Sequence, residues 1–150
     1  MGTISAGEGN SSNIHAGPSG LLSPIIWRIL SGLALLAMGG IHLYLVLDGV
    51  GGVLGVLFVL NAIGGLLLAI AMLAAPRRLL LLASLLSLLF IVGTLLALVL
   101  ALTVGLFGIT ETLSFTLVPT TLVVESIGII VLVVTTALAF RMQRTRPGPS

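Results

Sequence analysis

The sequence predicts an all-α integral membrane protein: a four-transmembrane-helix bundle with both N and C termini cytoplasmic. Three observations point there. Hydrophobic residues fill 58% of the 150 positions and charged residues only 7%, whereas a soluble domain carries about 25% charged residues. The apolar residues gather in four segments, each reaching the roughly 20 residues that cross a ~30 Å hydrocarbon core as a helix. The arginines fall at alternate connections only, which fixes a direction of threading.

Residues Met1 to Ser23 are rich in Gly, Ser and Asn, with Glu8 and His15 as isolated ionisable groups. Such a composition offers little apolar surface to offset the entropy of ordering, so 1–23 is expected to be a flexible tail. A cleaved signal peptide is not expected, because the stretch lacks a basic start and the apolar run begins late and continues too long.

The first predicted helix runs from about Pro24 to Leu47 and the second from about Gly52 to Ala75. The third covers about Leu79 to Phe107 and the fourth about Val118 to Phe140. All four are apolar on every side, which argues against the alternating pattern of a β-barrel. Pro24 and Pro119 open helices, where a missing amide donor costs little, and Pro76 interrupts the chain between the second and third. The membrane domain is thus 24–141, followed by a basic tail, 142–150. No internal repeat is visible.

Arg28 lies at the start of the first helix, Arg77 and Arg78 follow the second, and Arg141, Arg144 and Arg146 follow the fourth. The other two connections carry Asp48 and Glu111 without any basic residue. By the positive-inside rule the arginine side is cytoplasmic and the acidic loops face outward. In a bacterium this places the chain in the inner or plasma membrane as a multi-pass protein.

Several classes of chemistry drop out. The chain has no cysteine, which removes disulfides, thiolate metal sites and thiol redox chemistry. Its net charge of +2 is too small to suggest nucleic acid. The glycines of DGVGGVLG lack the lysine and the strand-to-helix setting of a phosphate loop. Ser126 beside Glu125 is not a nucleophile–base arrangement. No catalytic motif emerges, no metal set is assigned, and the cofactor is unknown.

The remaining signal is polar residues inside apolar helices. His42 lies six positions before Asp48, roughly 9 Å below the outer loop. Asn61 is roughly 13 Å into the second helix and Glu125 roughly 10 Å into the fourth. The three fall at similar depth, with Asp48 and Glu111 at the outer mouth above them. A carboxylate in lipid costs a few kcal/mol at least, so Glu125 is expected to face the bundle. His42 is its natural partner, since imidazolium and carboxylate relieve one another's desolvation. Thr121, one turn above Glu125, is placed to hydrogen-bond to it, and Tyr44 is either a further member or an interfacial anchor. A cluster of this kind either locks helix register or holds a ligand, and the sequence leaves both open. A metal would recruit His42, Glu125, Asp48 and Glu111, without an ExxH or HxxxH spacing to support it.

Small residues recur four apart on two helices. Gly93, Ala97, Ala101 and Gly105 form one row, and Asn61, Gly65 and Ala69 another. Both are expected to be helix contacts, because small side chains let backbones approach closely in lipid.

The stretch WRILSGLALLAMGGIH, with Arg28, Gly32, Gly39, Gly40 and His42, resembles the start of DoxX-like small membrane proteins. The whole chain also resembles uncharacterised small four-helix membrane proteins of high-GC Gram-positive bacteria. The resemblance implies a four-helix fold linked to quinone or redox membrane complexes and carries over no functional residue. The expected role is an accessory or scaffold subunit in the lipid bilayer, partnered by other membrane-protein subunits or by copies of itself. The alternative is a ligand-, ion- or quinone-binding protein that uses the His42, Asn61 and Glu125 level.

Overall fold

The computed structural model describes residues 24–105, 112–114 and 117–144, and over these the chain is helical with no strand. The helices are α1 (Pro24–Leu47), α2 (Gly52–Ala74), α3 (Leu80–Thr103) and α4 (Val118–Arg144). Each is long and apolar enough to cross a membrane. Residues 1–23, Glu111 and Arg146 lie outside the described residues.

The helix ends differ from hydropathy where backbone geometry overrules it. α3 stops at Thr103, four residues before the apolar run ends, because Gly105 takes a φ of +80° that a helix cannot continue through. α4 runs past Phe140 to Arg144, since Arg, Met and Gln are good helix formers and need not break at a membrane boundary. α1 closes with Gly49 at φ +104°, Gly49 N donating to Val46 O and Val50 N to Leu45 O. This pair of bonds satisfies carbonyls that the helix end leaves open.

Each helix packs on the next, and α1 also packs on α4, which closes an up-and-down ring; the α1–α2 interface is the largest and α2–α3 the smallest. Buried positions repeat at alternating steps of three and four. On α1 these are Ser31, Leu35, Met38, His42 and Leu45, with Gly32 and Gly39 buried beside them, and on α4 Val118, Thr121, Glu125, Gly128, Leu132, Thr135 and Ala139. Such spacing keeps one seam of each helix turned to its neighbours, as in bundles packed like coiled coils. Leu35, Met38, Met72, Ile91 and Leu132 form the fully enclosed centre. The outer surface is a nearly continuous layer of exposed Leu, Ile and Val, the face that lipid would cover.

α1 and α2 approach most closely at glycines. A Cβ on Gly65 would sit 2.9 Å from Leu35 O and 3.3 Å from Gly39 Cα, so two backbones meet there. Of the row Asn61, Gly65 and Ala69, Gly65 lies on this contact, Ala69 is buried and Asn61 is half-buried. The other row does not behave as a unit. Ala101 is buried, whereas Gly93 is exposed with nothing within 4 Å of its missing Cβ. The reason is geometric: steps of four residues drift around a 3.6-residue helix, and twelve residues carry the row through about 120°.

At the arginine end, Arg28 closes the α1–α2 pair. Its Nε donates to Met72 O at 3.0 Å, and one terminal nitrogen donates to Leu73 O at 2.9 Å and Ala75 O at 2.8 Å. These are carbonyls at the α2 C-terminus, where the helix dipole is negative and the intrahelical donors run out. Arg28 therefore has a packing role besides its part in the charge asymmetry. At the same end the Arg144 guanidinium lies 4.3 Å from the Phe140 ring centroid.

Candidate functional site

One contact sets the register of α1 against α4. The hydroxyls of Ser31 and Thr135 lie 2.9 Å apart in the core. Counting eleven residues along α1 from Ser31 reaches His42, and ten back along antiparallel α4 from Thr135 reaches Glu125. Their levels therefore differ by about one residue, ~1.5 Å. Both residues occupy seam positions and both are buried, His42 at 6% exposure and Glu125 at 1%.

His42 is held from two sides. Its Nδ1 lies 2.9 Å from Met38 O. A carbonyl can only accept, so Nδ1 carries the proton and, in the neutral ring, Nε2 is left as an acceptor. The ring also stands edge-on to Phe58 of α2, with centroids 5.0 Å apart and planes at 78°. This is a favourable aromatic geometry, and it fixes the ring plane.

Glu125 is different. Neither carboxyl oxygen has a hydrogen-bond partner, His42 included. Thr94 of α3 lies against the carboxyl, yet its own hydroxyl donates to Ile91 O at 2.9 Å. Thr121, the neighbour one turn away, likewise spends its hydroxyl on Leu117 O at 2.9 Å. Both make the backbone bond that a helical threonine forms within its own helix, which is why the sequence-based Thr121–Glu125 bond is not present.

The other members are placed less centrally. Asn61 is half-buried on α2, three residues from Phe58. Tyr44 is 51% exposed and turned away from the core, in the manner of an interfacial anchor. Asp48 is exposed in the α1–α2 turn. Among the described residues no group of three or more His, Asp or Glu side chains is arranged to hold a metal ion. The site is therefore two buried ionisable groups on one level, with Phe58 against His42 and Thr94 against Glu125.

Sequence reasoning passed over three contributors. Thr94 and the Ser31–Thr135 pair are polar residues at seam spacing, and that spacing was the available signal. The Arg28 clamp had none, because it depends on where the α2 C-terminus ends up.

Compared with known protein families, curated proteins and solved structures, the chain matches none.

Proposed function

We propose that the chain is a small accessory or scaffold subunit of a larger membrane assembly, in contact with other membrane-protein subunits or with copies of itself. The supporting observation is the outward-facing glycines. Gly40 and Gly93 are both exposed, and nothing lies within 4 Å of where a side chain would begin. Glycine in a helix interior costs about 1 kcal/mol relative to alanine, and no contact within this chain offsets that. A neighbouring helix approaching at the notch would. On this reading the termini are cytoplasmic, the membrane is a bacterial plasma membrane, and the DoxX-like resemblance adds redox complexes to the candidate assemblies.

The test is purification from native membranes in mild detergent, followed by mass spectrometry of intact complexes. The expected result is co-purification with stoichiometric partners or extra copies, reduced in Gly40→Leu or Gly93→Leu variants that still fold. A lone chain leaving the membrane, with both variants indistinguishable from it, would remove the reading.

A second reading, a binding protein that uses the His42, Asn61 and Glu125 level, is favoured by one observation: the unpartnered oxygens of Glu125. Glu125→Gln keeps the side-chain shape and removes the charge. A variant that folds and keeps its partners but loses function assigns Glu125 to binding, whereas unchanged function assigns it to packing.

A further inference from the structure

The buried polar groups of this bundle are either satisfied or unpartnered, and among the described residues Trp27 Nε1, Ser87 Oγ and Thr136 Oγ1 are unpartnered besides Glu125, which alone of the four is ionisable. Ser31 and Thr135 bond to each other, Thr121 bonds to Leu117 O, and His42 bonds to Met38 O. Each of these is satisfied in the way expected of a group kept for packing. Glu125 is more enclosed than His42, Thr121 or Thr135 and has no hydrogen bond at either oxygen. A carboxyl whose task was to pin helices would be expected to show partners, because an unsatisfied buried polar group costs stability that glutamine or leucine would avoid.

Its surroundings narrow what it binds. α2 and α3 contain no ionisable side chain at all. α1 offers Arg28, His42 and Tyr44, of which Arg28 is clamped at the far end and Tyr44 faces outward. α4 adds Arg141 and Arg144, four turns or more away. His42 is thus the titratable group that shares the carboxyl's level from the helices packed around it. A metal ion would find two ligating side chains there, too few for a protein-built site.

We propose that Glu125 and His42 form a proton-exchange site in the core of the bundle, with the proton itself as ligand. This rests on the second reading above and names its ligand. The carboxyl O–H is the donor and His42 Nε2 the acceptor: the O–H bond breaks with its electron pair staying on oxygen, and an Nε2–H bond forms. Nδ1–H stays on Met38 O throughout, so the ring keeps its orientation while it becomes an imidazolium facing a carboxylate. The pair is neutral before and after, which is what a low-dielectric core tolerates. No hydrogen bond joins the two groups in this arrangement, so transfer requires the Glu125 side chain to turn toward Nε2 across the α1–α4 seam.

The test is infrared difference spectroscopy on the full chain reconstituted in phosphatidylcholine vesicles. To mark Glu125 without altering it, Glu8→Gln and Glu111→Gln leave it the sole glutamate, and ¹³C-glutamate then shifts its carbonyl band. The expected result is a neutral-carboxyl band that is isotope-shifted, moves on transfer to D₂O, and is lost and regained as pH is cycled. Glu125→Gln should lack the band. His42→Gln should keep it and slow its exchange by at least about tenfold. A neutral band that never exchanges makes Glu125 a packing group and overturns the proposal while leaving the subunit reading intact. An ionised carboxylate whose band responds to sodium makes the site a metal-cation site, which overturns the proton assignment and keeps the binding reading. Exchange unaffected by His42→Gln overturns the pairing.

Discussion

Substituting alanine at Gly65 tests the close α1–α2 approach quantitatively. The new Cβ would meet Leu35 O at 2.9 Å and Gly39 Cα at 3.3 Å. Carbon contacts are comfortable at about 3.5–4.0 Å, so the helices must part by several tenths of an ångström along their longest interface. Neither contact is the tip of a flexible side chain, so local yielding is limited. Overpacking of this kind costs about 1–3 kcal/mol, against which Gly→Ala regains about 1 kcal/mol of helix propensity. In the isolated chain, stripped of partners, Gly93→Ala supplies the control, because the same substitution there meets nothing within 4 Å. Propensity cancels in the comparison, so Gly65→Ala should be less stable than Gly93→Ala by about 1–3 kcal/mol. Gly39→Ala, with its nearest contact Ala62 O at 3.2 Å, should fall between them. Reversible unfolding in mixed micelles, titrated with a denaturing detergent, measures all three. Equal stabilities for Gly65→Ala and Gly93→Ala would refute the close approach.

Arg28→Ala removes three hydrogen bonds from the end of α2; with some carbonyls free to rehydrate, the loss should be about 2–4 kcal/mol in the same unfolding assay. Arg28→Lys keeps the charge without the planar fork and should recover about half of it; full recovery would mean that only the charge matters. The chain has no cysteine of its own, so single cysteines report sidedness directly. At Gly51 or Ser114 one should react with an impermeant external reagent, and at Ser150 it should not; reversed labelling would overturn the cytoplasmic placement of the termini.

Most of the helical architecture was legible because a bilayer leaves few alternatives. Long apolar runs must be helices, and Pro24, Asp48-Gly49 and Pro76 mark their limits within a residue or two. The depth of His42 below its loop could be estimated from the sequence, since helical rise is fixed and the turn after α1 is short; its common level with Glu125 rests instead on the Ser31–Thr135 contact, which the sequence does not show. Which face each helix turns inward was harder to read. Leu, Ile and Val occupy both sides, so hydropathy carries little directional information. The seam shows instead in its polar and small members, Ser84, Ser87 and Thr94 on α3 and Thr121, Glu125, Gly128 and Thr135 on α4, at steps of three and four. Reading fixed steps of four placed Gly93 in a contact from which helical drift removes it. The fate of individual hydroxyls was not legible, because Thr121 chooses its own backbone over the neighbouring carboxyl.

The register that brings His42 and Glu125 to one level is tested most directly by a paired-cysteine cross-link in native membranes. The Ser31 and Thr135 hydroxyls lie 2.9 Å apart, so cysteines replacing both should form a disulfide rapidly under mild oxidation. Ser31 paired with a cysteine at Gly128, about two turns along α4, should not. A 31–135 disulfide without a 31–128 one is the predicted result. The opposite pattern would shift α4 by two turns, carry Glu125 away from His42, and contradict the site.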